Sequence, residues 1–414
     1  MIKKRILSPF AAPKAGHFLA AVLIFGISSG IFTGIINNYL HEILKISKVE
    51  RGIVEFPREM PGLLMIVLVA LLYRFSETRI FRMSFLIALA GITGMIFLGT
   101  IKWTAILMII LWSTGEHLIM PVRQSMGVHM ARPEKAGLAL GTVRGFRNTG
   151  QLIGFYLIPL LFFILPFAPP EGTFAWFRLA FIAGGIALGT GFILTLILRD
   201  KHLHVQRRRL YFDKKFSKYY ILEMFFGARK QVFLTFAPFV LVIVYHISAG
   251  TLALLYGISA TINILVAPMV GQLIDRLGYR LVIVADTVIL VMLCLGYGFA
   301  HRFFPSHTAF LVICVVFILD AVLFVVTVAR TMYVKQLSDS SGEVTATLSA
   351  GISINHCISI LIAMLGGMIW EMVGIEALFS MAALFGIGSF VFALTLPRGS
   401  GGRNHLPYIQ KKKD

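Results

Sequence analysis

Residues 199 to 218 read RDKHLHVQRRRLYFDKKFSK, the one long polar stretch in the interior of a 414-residue chain. On either side of it, apolar runs of about 20 residues follow one another, each the length of a helix that crosses the hydrocarbon core of a bilayer. Six such runs come before the polar stretch and six come after it. The sequence therefore predicts two sets of six membrane helices, joined by a basic linker.

The predicted spans fix the domain boundaries to within a few residues. Those of the first half are 17–40, 50–73, 80–100, 103–130, 136–166 and 174–198. Those of the second half are 219–246, 249–275, 281–300, 307–334, 343–370 and 373–397. The domains are then a bundle at 1–198, a linker at 199–218, and a bundle at 219–414 that ends in a short basic tail. We predict an all-α integral membrane protein of twelve transmembrane helices in two pseudo-symmetric bundles.

Composition supports this prediction and excludes other classes of protein. Hydrophobic residues make up 57% of the chain and charged residues 14%, whereas a soluble protein carries about 25% charged residues. What remains outside the spans suffices only for short connections, which excludes a large catalytic domain or a nucleic-acid module. The apolar run that starts near residue 17 is too long for a signal peptide, so we interpret it as the first membrane helix.

The formal charge of +19 is mainly an orientation signal. If both termini are cytoplasmic, 25 of the 38 Lys and Arg residues fall in cytoplasmic segments and six in outer loops, which is the asymmetry that membrane insertion favours. The six are Lys45, Lys48, Arg51, Lys102, Arg178 and Arg302. We therefore expect both termini to be cytoplasmic, the location to be a bacterial inner membrane, the lipid bilayer to be a partner, and nucleic acid not to be one.

A ten-residue loop pattern occurs at corresponding places in the two halves. Residues 271–280 read GQLIDRLGYR and align without gaps on residues 73–82, YRFSETRIFR. The second copy resembles the GxLxDRxGxR signature of the major facilitator superfamily at every defining position. The first copy lacks the glycines and has Glu77 in place of the Asp. The drug-antiporter motif GPxxGG and the sugar-porter and peptide-transporter motifs are not found, so the resemblance stops at the superfamily.

The resemblance implies a transporter with two six-helix halves, in which this loop takes part in a cytoplasmic gate. The gate candidates are Gly271, Asp275, Arg276, Gly278 and Arg280, with Glu77 and Arg82 in the first copy. A carboxylate near a helix N-terminus and neighbouring arginines can hold adjacent helix ends in one gate state. For the first copy, ordinary loop charge is an equal alternative.

Charged residues inside the spans are costly unless they face each other or water. In helix 2, Glu55, Arg58 and Glu59 share one face and form either a gate and proton-titrating cluster or a self-neutralising structural one. Glu116 and Asp320 lie near mid-depth, where a carboxylate can take part in proton coupling or in a structural ion pair. The proton-coupling candidates are Glu55, Glu59, Glu116 and Asp320. Shallower charges, Arg123, Glu223, Asp286 and Arg330, are expected to be anchors or structural groups.

Cations slightly outnumber acids near the middle of the spans, and a guanidinium suits bidentate binding of a carboxylate or phosphate. The substrate-binding candidates are Arg58, Arg144, Arg147, Asn148, Arg229, Lys230, Tyr256, Asn355 and His356. The competing interpretation is that Arg147 and Arg229 only neutralise Glu116 and Asp320. His356 fits an interior histidine better than a proton relay.

The leading hypothesis is a monomeric secondary active transporter of a small organic anion or zwitterion, coupled to protons and working by alternating access. One alternative is a proton-driven exporter of hydrophobic or cationic compounds, and another is a lipid flippase or scramblase. We expect no enzyme activity, because no nucleophile and base constellation is present. No cofactor or metal is expected, since neither a phosphate-binding glycine loop nor a ligand spacing occurs.

Overall fold

The computed structural model describes residues 6–64, 72, 75–132, 135–164, 169–198, 212–339 and 341–397. The predicted linker up to residue 211 and the basic tail from residue 398 lie outside the described residues. Apart from one isolated bridge between Phe10 and Ala131, regular structure in the described ranges is helical. The all-helical prediction is therefore confirmed.

The described part of the chain contains twelve helices. Helical segments that follow one another without a break, as in α7 and α10, are counted here as one helix. The first six are α1 Ala15–Glu42, α2 Lys48–Leu63, α3 Glu77–Leu98, α4 Lys102–His129, α5 Ala136–Ile164 and α6 Phe174–Leu196. The others are α7 Lys214–Ile243, α8 Ala249–Leu277, α9 Tyr279–Phe303, α10 Ser306–Leu337, α11 Ser341–Met372 and α12 Ile375–Leu394. Their ends lie within a few residues of the predicted spans wherever both are described.

Ten of these helices, within the described ranges, are long and apolar enough to cross a membrane. The two that do not meet this criterion are α2 and α5. Helix α2 is described over only 16 residues, which is too short, and α5 carries two arginines in its first half.

The described residues form two compact units. One unit holds residues of Met1–Gln206 together with Pro238–Ile258, and the other holds residues of Arg207–Ala237 and Ser259–Asp414. The last turns of α7 and the first turns of α8 thus pack with the first unit. In that unit α1 packs on α5 and α6, and α3 packs on α4 and α6. In the second unit α7 packs on α11 and α12, and α9 packs on α10 and α12, so the helix pairings correspond.

Small residues let α1 and α5 approach closely. A Cβ added to Gly30 of α1 would lie 2.2 Å from the carbonyl oxygen of Gln151, and one added to Gly154 of α5 would lie 2.2 Å from that of Ile27. Backbone contact of this kind is typical of helix pairs in membranes, where packing rather than the hydrophobic effect holds helices together. The crossing lies directly beside Gln151, a polar residue of α5.

A π-helical turn, Val232–Phe236, interrupts α7 directly after its two adjacent cations. Such turns add one residue to a helical turn and rotate the side chains that precede them relative to those that follow. The apolar side chains beyond the turn, Phe233 and Phe236, pack into the second unit against Phe379 and Trp370. The turn therefore leaves Arg229 and Lys230 at the end of a regular helix whose continuation is firmly packed.

Candidate functional site

A buried cluster of charges lies on α2 in the first unit. Glu55 is fully buried and contacts arginines on both sides, Arg51 one turn before it and Arg58 one turn after it. Arg58 Nε and Nη2 lie 2.8 and 2.6 Å from Glu55 Oε2. Arg51 also donates to Asn37 Oδ1 of α1 at 3.1 and 3.2 Å. The helical spacing predicted the contact of Arg58 with Glu55.

Arg51 is a member of this cluster that the sequence analysis missed, because it was assigned to an outer loop. A capping box of Ser47 and Glu50 starts α2 at Lys48, so Arg51 lies inside the first turn and is 3% exposed. Its four-residue spacing from Glu55 was a visible signal for an i,i+4 ion pair. The predicted span began at residue 50, which left Arg51 within the uncertainty of the boundary.

The cluster continues to α4 through Glu59. Arg58 Nη2 lies 2.7 Å from Glu59 Oε1, and Glu59 Oε2 lies 3.8 Å from His117 Nε2. His117 Nδ1 lies 2.9 Å from the carbonyl oxygen of Ser113 and 3.1 Å from its hydroxyl. Glu55 and Glu59 thus each have an arginine partner, which favours the self-neutralising interpretation of this face of α2.

Tyr256, at the start of α8, belongs to the same unit and lies beside the α2 cluster. Its ring stacks on Phe155 of α5, with centroids 5.2 Å apart and planes at 14°. Its hydroxyl interacts electrostatically with Arg51, Arg58 and Glu55. A phenol in this position adds a polar group and an aromatic face to the charged cluster, both of which suit contact with an organic molecule.

A second buried ion pair of the first unit joins α4 and α5. Arg147 Nη2 contacts Glu116 Oε1, and Arg147 also donates to Gln151 and, at 3.3 Å, to Ser29 Oγ of α1. Within the described part of the chain, Glu116 Oε2 and Arg147 Nε have no hydrogen-bond partner. The pair matches the interpretation in which Arg147 neutralises Glu116.

Arg144 and Asn148 occupy a different face of α5, and both are exposed. Among the described residues, Arg144 makes no ion pair or hydrogen bond. A Cβ added to Gly141 or Gly145 would find no atom within 4 Å, so this face of the helix is open on both sides of the arginine. Arg144 is therefore the unpaired cation of the predicted stripe on α5, while Arg147 is engaged.

In the second unit, the two adjacent cations of α7 contact different partners. Arg229, 2% exposed, donates from Nη1 to Asp320 Oδ1 of α10 at 2.7 Å. Lys230 donates from Nζ to Asn355 Oδ1 of α11 at 2.6 Å. Neighbouring residues point about 100° apart on a helix, which explains the separate partners. His356 follows Asn355 on α11 and is half-buried.

A second buried ion pair of that unit involves residues that the sequence analysis treated as shallow. Arg330 Nε donates to Glu223 Oε1 at 2.9 Å, and the guanidinium lies 3.7 Å from the ring centroid of Phe226. The other oxygen of Glu223 accepts from Asn355 Nδ2 at 3.4 Å. Arg229 lies 5.0 Å from the same ring of Phe226, so the two arginines share one aromatic neighbour.

The two copies of the loop pattern differ in their contacts. In the first copy, buried Glu77 accepts a hydrogen bond from Ser125 and lies 2.8 Å from His129 Nδ1, both at the end of α4. Arg82 donates to the carbonyl oxygens of Thr195 and Leu198 at 3.2 and 2.6 Å, where α6 ends. The first copy therefore holds three helix ends together, although its sequence departs from the signature.

In the second copy, Asp275 and Arg276 are exposed and form no ion pair within the described part of the chain. Gly278 has φ +80° at the junction of α8 and α9, a conformation that favours glycine. Arg280 is half-buried and Gly271 has open space around its Cα. The tight turn explains the glycine of the signature, whereas a gate role for the charged residues stays a prediction.

Comparison with known proteins gives one family. The sequence profile of the Major Facilitator Superfamily matches residues 18–359. Among proteins of curated function, none matches the chain by sequence.

Several solved structures share the fold over nearly the whole chain. The nucleoside transporter NupG is 14% identical, with a TM-score of 0.68, and 93% of this chain and 98% of that chain are covered. A D-xylose–proton symporter is 13% identical, with a TM-score of 0.72 over 93% and 98%. The xylose transporter XylE from E. coli, in an inward-open conformation, is 12% identical, with a TM-score of 0.71 over 94% and 96%. At these identities the likeness shows the fold alone.

Proposed function

Because the chain belongs to the Major Facilitator Superfamily, a family of membrane transporters, we propose that it moves a small organic anion or zwitterion by alternating access, coupled to protons. The family and the ten apolar helices make it an integral membrane transporter rather than an enzyme. The choice of substrate class depends on how the charges inside the spans are used.

The observation that carries this choice is that the guanidinium of Arg144 makes no ion pair with any described residue. Arg58, Arg147 and Arg229 each contact a carboxylate, and an arginine that is already paired has less to offer a substrate. Arg144 lies eight residues into α5, about 12 Å from its start at 1.5 Å per residue. Arginines within membrane spans usually face the bundle interior or a water-filled cavity rather than lipid, so we assign its face to a water-filled path.

The neighbours of Arg144 suit an organic anion with further polar groups. Asn148 follows one turn later and can donate and accept hydrogen bonds. The glycines on this face leave the helix backbone accessible to a ligand. A guanidinium binds a carboxylate or phosphate through two parallel hydrogen bonds.

The charge arrangement disfavours the exporter of cationic compounds. Glu55, Glu59, Glu116 and Asp320 all lie within ion-pair distance of an arginine. A cationic substrate would have to displace an arginine from one of them. Proton coupling requires a carboxylate that gains and loses a proton while the protein changes conformation, and the buried acids of both units supply candidates.

A thermal-shift screen of the purified full chain in detergent tests the substrate class. The probes are lactate, succinate, glutamate and alanine, with choline and tetraphenylphosphonium as cations, each at an acidic and a slightly alkaline pH. A ligand at about 100 times its Kd stabilises the folded state by about 2.7 kcal/mol. We expect an anionic or zwitterionic probe to raise the Tm of the wild type.

The variant Arg144→Gln is expected to lose that shift, and Arg178→Gln is the matched control. Arg178 is an exposed arginine of α6 in the same unit, with its guanidinium 5.8 Å from the ring of Phe97. Stabilisation by the cations alone, or an anion shift that persists unchanged in Arg144→Gln, would contradict the proposed substrate class. Uptake of the radiolabelled probe into proteoliposomes then checks that binding leads to transport.

A further inference from the structure

The buried charges of the second unit do not balance. Apart from Glu343, which pairs with Lys215, three buried carboxylates lie there, Glu223, Asp286 and Asp320, each at most 8% exposed. Two buried guanidinium groups face them, Arg229 on Asp320 and Arg330 on Glu223. Asp286 of α9 is the carboxylate left over, since no ion pair or hydrogen bond reaches its side chain from the described residues.

Asp286 nevertheless lies close enough to both pairs for its charge to act on theirs. It interacts electrostatically with both Arg229 and Arg330 and with Asp320. Its Oδ1 atom is fully enclosed by protein and has no hydrogen-bond partner in the described part of the chain. The same holds for Nη2 of Arg229 and Nη2 of Arg330. An acceptor oxygen and two donor nitrogens thus stay unused in one buried region.

Among the described residues, the two helices that pack against α9, which are α10 and α12, bring no further charge close to Asp286. From α10 come Asp320 and Arg330, while Lys335 of α10 is exposed. On α12 the charged residue is Glu376, which pairs with Arg302 and His301 at the opposite end of α9. Those contacts lie about 15 residues from Asp286, or about 22 Å along the helix. The remaining charge of α9 itself is Arg280, six residues before Asp286.

From this arrangement we infer that Asp286 is the carboxyl group that binds and releases a proton in the second unit. In the state described, a proton neutralises Asp286, and the two arginines are satisfied by Glu223 and Asp320. When the helices shift, the ionised Asp286 takes the free Nη2 of Arg229 or Arg330, and its proton leaves to water. The inference rests on the proposed function, because it assigns the coupling proton to a particular residue.

Electrostatics favours the neutral form of Asp286 while both pairs are intact. A buried carboxylate without a partner is strongly destabilised, and a neutral one is not. Once an arginine turns toward it, the charged form gains a partner and the proton is released. A shift of one guanidinium between two acids therefore couples helix movement to proton release, which is the property that a proton-driven transporter needs.

Infrared difference spectroscopy of the purified full chain, in detergent and without substrate, tests this inference. Protonated carboxyl groups absorb apart from carboxylates, so a pH titration reports their ionisation. We expect the wild type to show a titrating band of a buried carboxylic acid. In Asp286→Asn this band should be absent, and each chain should take up one proton fewer over the same pH range. Asp339→Asn, the same chemical change at a carboxylate whose side chain is 90% exposed, should keep the band.

Further variants separate a proton-binding group from a structural one. Asp320→Asn frees Arg229, so the expected result is that Asp286 ionises at lower pH and the band titrates earlier. If Asp286→Asn does not yield monodisperse protein, Asp286→Glu is measured instead. The longer acid should keep the band and shift the pH midpoint of its titration. A band that is unchanged in Asp286→Asn, or a midpoint unmoved in Asp286→Glu, would overturn the inference.

The infrared result for Asp286 does not depend on which class of substrate the protein transports. If Asp286 titrates as expected while the anion screen with Arg144→Gln fails, the proton site stands and the proposed substrate is wrong. If the screen succeeds and the band does not depend on Asp286, the proposed anionic substrate class is supported, and the coupling proton is bound by another residue.

Discussion

Gly150 of α5 lies directly against the carbonyl group of Leu23 in α1, so that a Cβ on Gly150 would come within 1.9 Å of that oxygen. Backbone cannot move aside as a flexible side chain can, and α5 would have to separate from α1. Such a separation would carry Arg147, three residues earlier, away from Glu116. The glycine therefore supports an ion pair in which it takes no part itself.

We expect Gly150→Ala to lower the Tm clearly and to reduce the yield of folded protein. The physical reason is overpacking, which costs about 1 to 3 kcal/mol. Gly141→Ala on the same helix is the matched control, because its Cβ would meet open space, and alanine favours a helix over glycine by about 1 kcal/mol. Equal stability of the two variants in thermal unfolding would show that α1 and α5 do not cross as described.

Removing one member of the pair between Arg229 and Asp320 should be strongly destabilising. Arg229→Gln leaves a buried carboxylate without its partner, for which the expected loss is about 3 to 5 kcal/mol. The double variant Arg229→Gln/Asp320→Asn removes both charges and should recover part of that loss. Thermal unfolding of the four proteins forms a double-mutant cycle, and additive effects would mean that the two side chains do not interact.

The two copies of the loop pattern should differ in their effect on stability. Glu77 is buried with two side-chain partners, and hydrogen bonds to a charged group contribute about 1.5 to 3 kcal/mol. We expect Glu77→Gln to lower the Tm and to expose the end of α4 to protease. Asp275→Asn, at an exposed position, should change stability by no more than about 0.5 kcal/mol. A larger effect at Asp275 would indicate contacts that form in another conformation.

The orientation of the chain is a separate prediction from the distribution of Lys and Arg. With 25 of 38 basic residues on the side of both termini, insertion should leave those termini in the cytoplasm. A C-terminal green fluorescent protein fusion in a bacterial host should then fluoresce, and the corresponding alkaline phosphatase fusion should be inactive. A phosphatase fused after Arg302, in a predicted outer loop, should be active, and the reverse pattern would contradict the orientation.

The sequence by itself determined the class of the fold. In lipid, the backbone N–H and C=O groups of an apolar run of membrane length must hydrogen-bond within the run itself, which requires a helix. The polar stretch from residue 199 divides these helices into two sets of six. The signature at Gly271 to Arg280 then indicated the superfamily that the sequence profile matches. These conclusions depend on local composition and spacing, which a linear sequence contains in full.

Contacts within one helix were also visible in the sequence, whereas contacts between helices were not. The ion pair of Arg58 with Glu55 follows from a spacing of three residues. The pairing of Arg229 with Asp320, 91 positions apart, depends on how α7 and α10 are rotated and how deep each lies. Those quantities come from side-chain packing, which the spacing of charges does not encode.

The tertiary structure therefore decided which charged groups are engaged and which are left over. It paired Arg147 with Glu116 and left Arg144 exposed. It also paired Arg330 with Glu223, and it left the side chain of Asp286 without an ion pair or hydrogen bond from the described residues. The sequence could count these charges, but a buried charge is stabilised only by the group that lies within a few ångströms of it. The placement of each side chain, rather than its presence, determines the candidate site.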